Sequence, residues 1–208
     1  MKKVFIIYAA LLVLLLIGCS TPIDTAAPEN TLTPAPTDAV LPGDYFPMTP
    51  GSSWSYIGNG NEYASYTETV LYNECSYFQV SRDNGGTVTS TVYYVSETDV
   101  RMVLSRGEEY DKANLISEPP NADEIILKAP LEPGTEWESG SIKRKILSTD
   151  DTIDTPAGSF VNCLAVRSDY PDSYIIDYYA INIGLVYSEF HSGDDVITST
   201  LEFYDIAD

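Results

Sequence analysis

The chain has 208 residues, with 11 Lys and Arg against 31 Asp and Glu, a formal net charge of −20 at pH 7. That length allows one domain with a real core, and so acidic a surface repels nucleic-acid phosphates, which excludes nucleic acid as a partner. With one histidine and three cysteines, the chain lacks the ligands for a usual zinc site.

The N-terminus places Lys2 and Lys3 before an apolar run from Val4 to Ile17, closed by Gly18. This is the layout of a secretory signal, residues 1–18. The run of 14 residues is shorter than the roughly 20 needed to span a bilayer core. Leu16-Ile17-Gly18-Cys19 resembles the bacterial lipobox. The resemblance implies cleavage between Gly18 and Cys19, and lipidation of Cys19 with palmitate-like chains. The expected location is the extracytoplasmic face of the cell membrane, where more than one acyl chain gives stable anchoring. The partner expected there is the membrane, through the N-terminal lipid. Without the leader the balance is 9 basic against 31 acidic residues, or −22.

Residues 19–42 hold the lipidated Cys and a Thr-, Pro- and Ala-rich stretch without hydrophobic periodicity, including Thr33-Pro34-Ala35-Pro36-Thr37. This composition reads as a flexible tether. Fully extended, its reach is about 70 Å. The folded domain is expected over 43–208.

Two stretches share one pattern: Pro47-Met48-Thr49-Pro50-Gly51-Ser52-Ser53-Trp54 and Pro130-Leu131-Glu132-Pro133-Gly134-Thr135-Glu136-Trp137. Pro-Gly is a type II turn signal, because Gly supplies positive φ at the third position. Each copy predicts a turn that delivers a Trp to a strand, in two related halves, about 45–129 and 130–208. Two Trp at such places serve either as plugs for the core or as a ligand platform.

Between the turns the period is two. Val88, Ser90, Val92 and Tyr94 share one predicted face and Thr87, Thr89, Thr91 and Tyr93 the other. Val100, Met102 and Leu104 share a face, as do Ile197, Ser199, Leu201 and Phe203. Alternation rich in Val, Thr and Tyr predicts antiparallel sheet with one wet face. Asn84-Gly85-Gly86 marks a tight hairpin. Further turn signals fall at Gly58-Asn59-Gly60-Asn61, Pro119-Pro120-Asn121, Pro156-Ala157-Gly158, Tyr170-Pro171-Asp172 and Ser192-Gly193-Asp194. The expected fold is all-β, one strongly curved antiparallel sheet or half-barrel of about ten strands. Cys75 and Cys163 are candidates for a disulfide outside the cytoplasm. Alternation with Val161 and Ala165 equally suits Cys163 as a small buried thiol.

Tyr45-Phe46-Pro47 with Pro50-Gly51 and Trp54, Thr155-Pro156-Ala157-Gly158-Ser159-Phe160 with Cys163, and Tyr178-Tyr179-Ala180 with Gly184-Leu185-Val186 resemble a family of uncharacterised bacterial cell-envelope lipoproteins. The resemblance covers about 43–205. It implies a strongly curved antiparallel sheet, similar to the half-barrel of lipoprotein carriers, and brings no activity and no catalytic residues.

No nucleophile elbow is present, and the lone His191 lies beside a turn signal. Asp177, between Ile175 and Tyr179 on its own face, is the acid expected in the most apolar setting. Asp150, Asp151, Asp154, Asp194 and Asp195, expected in loops, offer hard oxygens suited to calcium. No cofactor, no catalytic residue and no metal site are assigned. Trp54, Tyr94, Trp137, Tyr178 and Tyr179 are the candidate ligand-facing aromatics of a concave sheet face. The expected function is a binding module for an apolar or carbohydrate ligand or an envelope protein. A structural envelope accessory is the alternative and a carboxylate-based hydrolase the second alternative.

Overall fold

The computed structural model describes residues 39–208. The expected leader, the cleavage after Gly18, the lipidation of Cys19 and the tether as far as residue 38 lie outside the described residues. A short 3-10 helix, Pro42–Tyr45, precedes twelve strands. The first six are β1 (Ser53–Asn59), β2 (Tyr66–Glu74), β3 (Tyr77–Asp83), β4 (Val88–Val95), β5 (Asp99–Gly107) and β6 (Glu124–Lys128). The second six are β7 (Glu136–Ser139), β8 (Ile142–Thr155), β9 (Gly158–Tyr170), β10 (Ser173–Ala180), β11 (Gly184–Ser192) and β12 (Asp195–Asp205).

All twelve form one antiparallel sheet in the order β6-β5-β4-β3-β2-β1-β12-β11-β10-β9-β8-β7. Two six-stranded meanders therefore meet along the pair β1–β12. The expected all-β curved sheet is what the chain forms, with twelve strands where about ten were expected. The sheet also curls further than a half-barrel. Its terminal strands β6 and β7 meet, joined by side chains: the Ile125 amide donates to Ser139 Oγ (2.9 Å) and Trp137 Nε1 donates to the Ile125 carbonyl (3.0 Å). These bonds satisfy edge groups that would otherwise face open water or a foreign strand.

Both Pro-Gly turns form. Gly51 has φ 97° and Gly134 φ 95°, conformations that strain any residue with a Cβ. The Gly51 amide donates to Val70 O (2.9 Å) and the Gly134 amide to Ile146 O (2.8 Å), so each turn locks onto the neighbouring strand. The turn signals at 58–61, 84–86, 156–158, 170–172 and 192–194 each separate two consecutive strands. The β2–β3 and β10–β11 turns carry positive φ on Cys75 (56°) and Asn182 (61°), where no Gly announces them.

Alternation fails at bulges, and two predicted faces are corrected there. Extra residues interrupt the pairing between Val92 and Tyr93 on the β4–β5 ladder and between Ser55 and Tyr56 on the β1–β12 ladder. A bulge gives one strand one more residue than its partner and reverses the facing beyond it. Leu104 therefore joins Val92 and Leu115 in a cluster apart from the one that holds Val100. Leu201 is buried while Phe203 is 61% exposed. On β4 the predicted facing holds, and Tyr93, opposite in facing to Val92, packs on Phe78 at 5.0 Å between ring centres. The opposite face, bearing Gln79, Ser90 and Val92, is covered by residues 108–121. Gln79 Nε2 donates to Ala113 O (2.8 Å) and the Leu115 amide donates to Gln79 Oε1 (2.7 Å).

The disulfide expectation is corrected as well. Both cysteines are free, Cys75 exposed in the β2–β3 turn and Cys163 buried on β9. Asn162, with φ 56°, breaks the alternation, so Val161 is 64% exposed while Cys163 is fully buried.

Candidate functional site

The inward face of the barrel changes character along its axis. One end is apolar and filled. The segment after the 3-10 helix inserts Phe46 among Phe78, Tyr93 and Tyr179, with ring centres at 6.5, 6.1 and 5.5 Å. The Asn182 amide donates to the Asp44 carbonyl (2.7 Å) and Trp54 Nε1 to the Ile183 carbonyl (2.7 Å), which pins the β10–β11 turn to this plug. The space left there is about 60 Å³.

Above the plug lies a cavity of about 310 Å³, lined by polar and aromatic side chains from both meanders. Glu68 and Arg82 are directly paired across β2 and β3. Arg82 Nε donates to Glu68 Oε1 (2.8 Å), and Nη2 lies at 2.8 Å from the same oxygen. The guanidinium sits 4.1 Å from the centre of the Tyr66 ring, a cation–π geometry, and Tyr66 stacks on Tyr56 at 4.5 Å. Arg82 remains 47% exposed because the cavity is open to solvent.

Arg144, on β8, closes the opposite wall. It is buried, and its Nε donates to Ser168 Oγ (3.0 Å) and Nη1 to the Ile125 carbonyl (2.9 Å), while Nη2 pairs with Glu124. One guanidinium thus ties β6, β8 and β9 together at the seam. Its planar fork of donors suits a buried site that needs several fixed bonds.

Beside Glu124, the cavity is lined by one more carboxylate, Asp177 on β10. It accepts a hydrogen bond from Ser188 Oγ (2.6 Å), and no Lys, Arg or His nitrogen among the described residues pairs with it within 4.0 Å. Burial raises its pKa above the usual carboxylate range, opposed by the Ser188 bond and by the charges of Arg82 and Arg144. Burial likewise raises the pKa of Tyr66, Tyr93 and Tyr179. Their hydroxyls are therefore neutral hydrogen-bond donors at physiological pH.

The sequence-predicted aromatics are dispersed. Tyr179 borders the cavity and Trp54 borders the small apolar space below it. Trp137 is buried at the seam with its indole bonded to Ile125. Tyr178 is half-buried on the opposite face of β10 beside Tyr187, at 5.8 Å. Tyr94 lies against Tyr77 (5.0 Å) on the outer side of β3 and β4. His191 stacks on Tyr174 (4.4 Å) and its Nε2 bonds Glu189 (2.8 Å). Asp150, Asp151 and Asp154 lie in β8 rather than in a loop. Among the described residues no three His, Cys, Asp or Glu side chains converge as a metal-holding group.

Sequence reasoning missed Arg82, Glu68, Arg144 and Glu124. The signal was a charged residue at an inward position of an alternating strand, readable only once hairpin register is known.

These features define a plugged, nearly closed antiparallel barrel with a charged, tyrosine-lined cavity. No protein-family model matches the chain, and no curated protein matches it. Two solved structures are similar. One is a protein described as exported, with a YmcC-like fold, from Bacteroides fragilis, at 18% identity, covering 77% of this chain and 98% of that one, with a TM-score of 0.46. The other is a protein described as a lipoprotein from Parabacteroides distasonis, at 16% identity, covering 77% and 98%, with a TM-score of 0.44.

Proposed function

We propose that this chain is a lipid-anchored, extracytoplasmic binding protein rather than an enzyme, and that its lumen takes one small polar ligand of the carbohydrate-like class. The observation that carries the reading is the cavity of about 310 Å³ beside Arg82 and Asp177. This lies at the small end of ligand pockets, on the order of 300–1,000 Å³. An apolar ligand fits less well, because the apolar end is filled by Phe46 and leaves only about 60 Å³. The leader, the lipobox at Leu16–Cys19 and the envelope-lipoprotein resemblance support the location. Cys19→Ser is expected to leave an uncleaved precursor without the lipid. Normal processing and normal detergent-soluble membrane association of that variant would overturn the anchor. Native mass spectrometry of the domain purified from its own envelope is expected to show a reproducible added mass, and a clean apo mass would oppose the binding role.

The filled apolar end favours a second reading, a structural envelope accessory. Phe46, Phe78 and Tyr93 form a packed plug of the kind that stiffens a barrel. On that reading the polar cavity holds only water.

A further inference from the structure

We infer that the lumen ligand is a small organic cation of the amino-sugar or amino-alcohol class, with its ammonium group beside Asp177 and a hydroxyl or carbonyl oxygen toward Arg82. This rests on the binding role proposed above and specifies its ligand.

The cavity is lined by two carboxylates, Glu124 and Asp177, and two guanidiniums, Arg82 and Arg144, but both guanidiniums are already paired, because Glu68, on the adjoining apolar space, takes Arg82. Arg82 is committed to Glu68 and Arg144 to Glu124. Arg144 has bonds from Nε, Nη1 and Nη2 to the wall, so it is not free to turn toward Asp177. Asp177 holds the Ser188 hydroxyl, with the Tyr179 hydroxyl also directed to it, and no cation. A half-buried carboxylate without a cation is destabilised by lost hydration and favours a partner or a proton. One positive charge completes the set, and the 310 Å³ cavity has the space to admit the molecule that carries it.

Three further features agree. Arg82 bonds Glu68 through Nε and Nη2, which leaves Nη1 to donate to a ligand oxygen. Tyr66, Tyr93, Tyr170 and Tyr179 line the cavity, and Tyr66 already takes a cation, the Arg82 guanidinium, against its ring. The chain carries a net charge of −20, which concentrates cations near its surface and repels anions. A carboxylate or phosphate ligand would meet both that field and Asp177.

The test is isothermal titration of the ligand-free domain at pH 6 with matched pairs: D-glucosamine against D-glucose, and ethanolamine against ethylene glycol. The cationic member of at least one pair is expected to bind more tightly by about tenfold or more, as a charge-assisted bond implies. Asp177→Asn, which keeps an acceptor for Ser188, is expected to remove that preference. Chemical shifts of Tyr66 and Tyr93 are expected to move with the cation in the parent and not in the variant. Equal binding of both members, or a preference that survives Asp177→Asn, would overturn the cationic ligand while leaving the binding role intact. No binding by any probe, together with a clean apo mass for the envelope-purified domain, would overturn both.

Discussion

Gly51 and Gly134 hold the same backbone conformation, at φ 97° and 95°, and each donates its amide to the strand beside its turn. The two meanders start from the same device. A Cβ at Gly134 would meet nothing within 4 Å and one at Gly51 only Ala207 at 3.7 Å, so the constraint is torsional and not crowding. Gly51→Ala and Gly134→Ala are each expected to cost about 1–2 kcal/mol, read as a lower midpoint in urea. Unchanged midpoints would show that the turns adapt without strain.

The seam depends on Arg144. Removing it by Arg144→Met leaves Glu124 without its cation and the Ile125 carbonyl with the Trp137 indole as its donor. Breaking such a pair is expected to cost about 3–5 kcal/mol. Arg144→Met with Glu124→Met is expected to recover much of that loss, because no orphaned charge remains. A double-mutant cycle by urea unfolding reads the difference. A double variant as unstable as the single would mean that the guanidinium bonds to Ser168 and Ile125 carry the seam.

Asp177 predicts a pH dependence with a definite sign. Its folded pKa is raised by burial, so the folded state holds a proton that the unfolded chain has lost. Stability therefore falls as pH rises from the ordinary carboxylate range to the raised value, and the deficit persists above it. Ligand-free Asp177→Asn is expected to melt higher than the parent at neutral pH, with the gain vanishing in acid below the ordinary carboxylate range. A gain that does not change with pH would assign the effect to packing.

How much of this was legible follows from where backbone rules are local. Pro50-Gly51, Pro133-Gly134 and Asn84-Gly85 announce their turns because only certain residues adopt positive φ cheaply. The β10–β11 pair was implied only by the resemblance at Tyr178-Tyr179-Ala180 and Gly184-Leu185-Val186, and the positive φ at Asn182, whose amide bonds the Asp44 carbonyl far away in sequence, had no local turn signal. Facing was legible up to the first bulge on each strand. Beyond it, Leu104 and Phe203 reversed, because bulge placement answers to barrel closure and not to the strand's own residues. The cavity was the least legible part. Glu68 and Arg82 are 14 residues apart and read as two solvated charges until register pairs them. Asp177 alone stood out, because its apolar neighbours on one face are local.

The thiols provide an independent check of the β9 geometry. In the domain beginning after Cys19, Cys75 is expected to react with a thiol reagent in the native state. Cys163 is buried, with its pKa raised by that burial, and is expected to react only on unfolding. Resistance of both thiols in denaturant without reductant would reveal a bridge.

The most direct measurement is a high-resolution crystal structure of the domain purified from its own envelope without exchange into a competing amine buffer. The account predicts non-protein density in the lumen, in contact with Asp177 and within hydrogen-bond reach of Arg82. Well-ordered water alone in that cavity, with Asp177 bonded only to Ser188, Tyr179 and solvent, would contradict it.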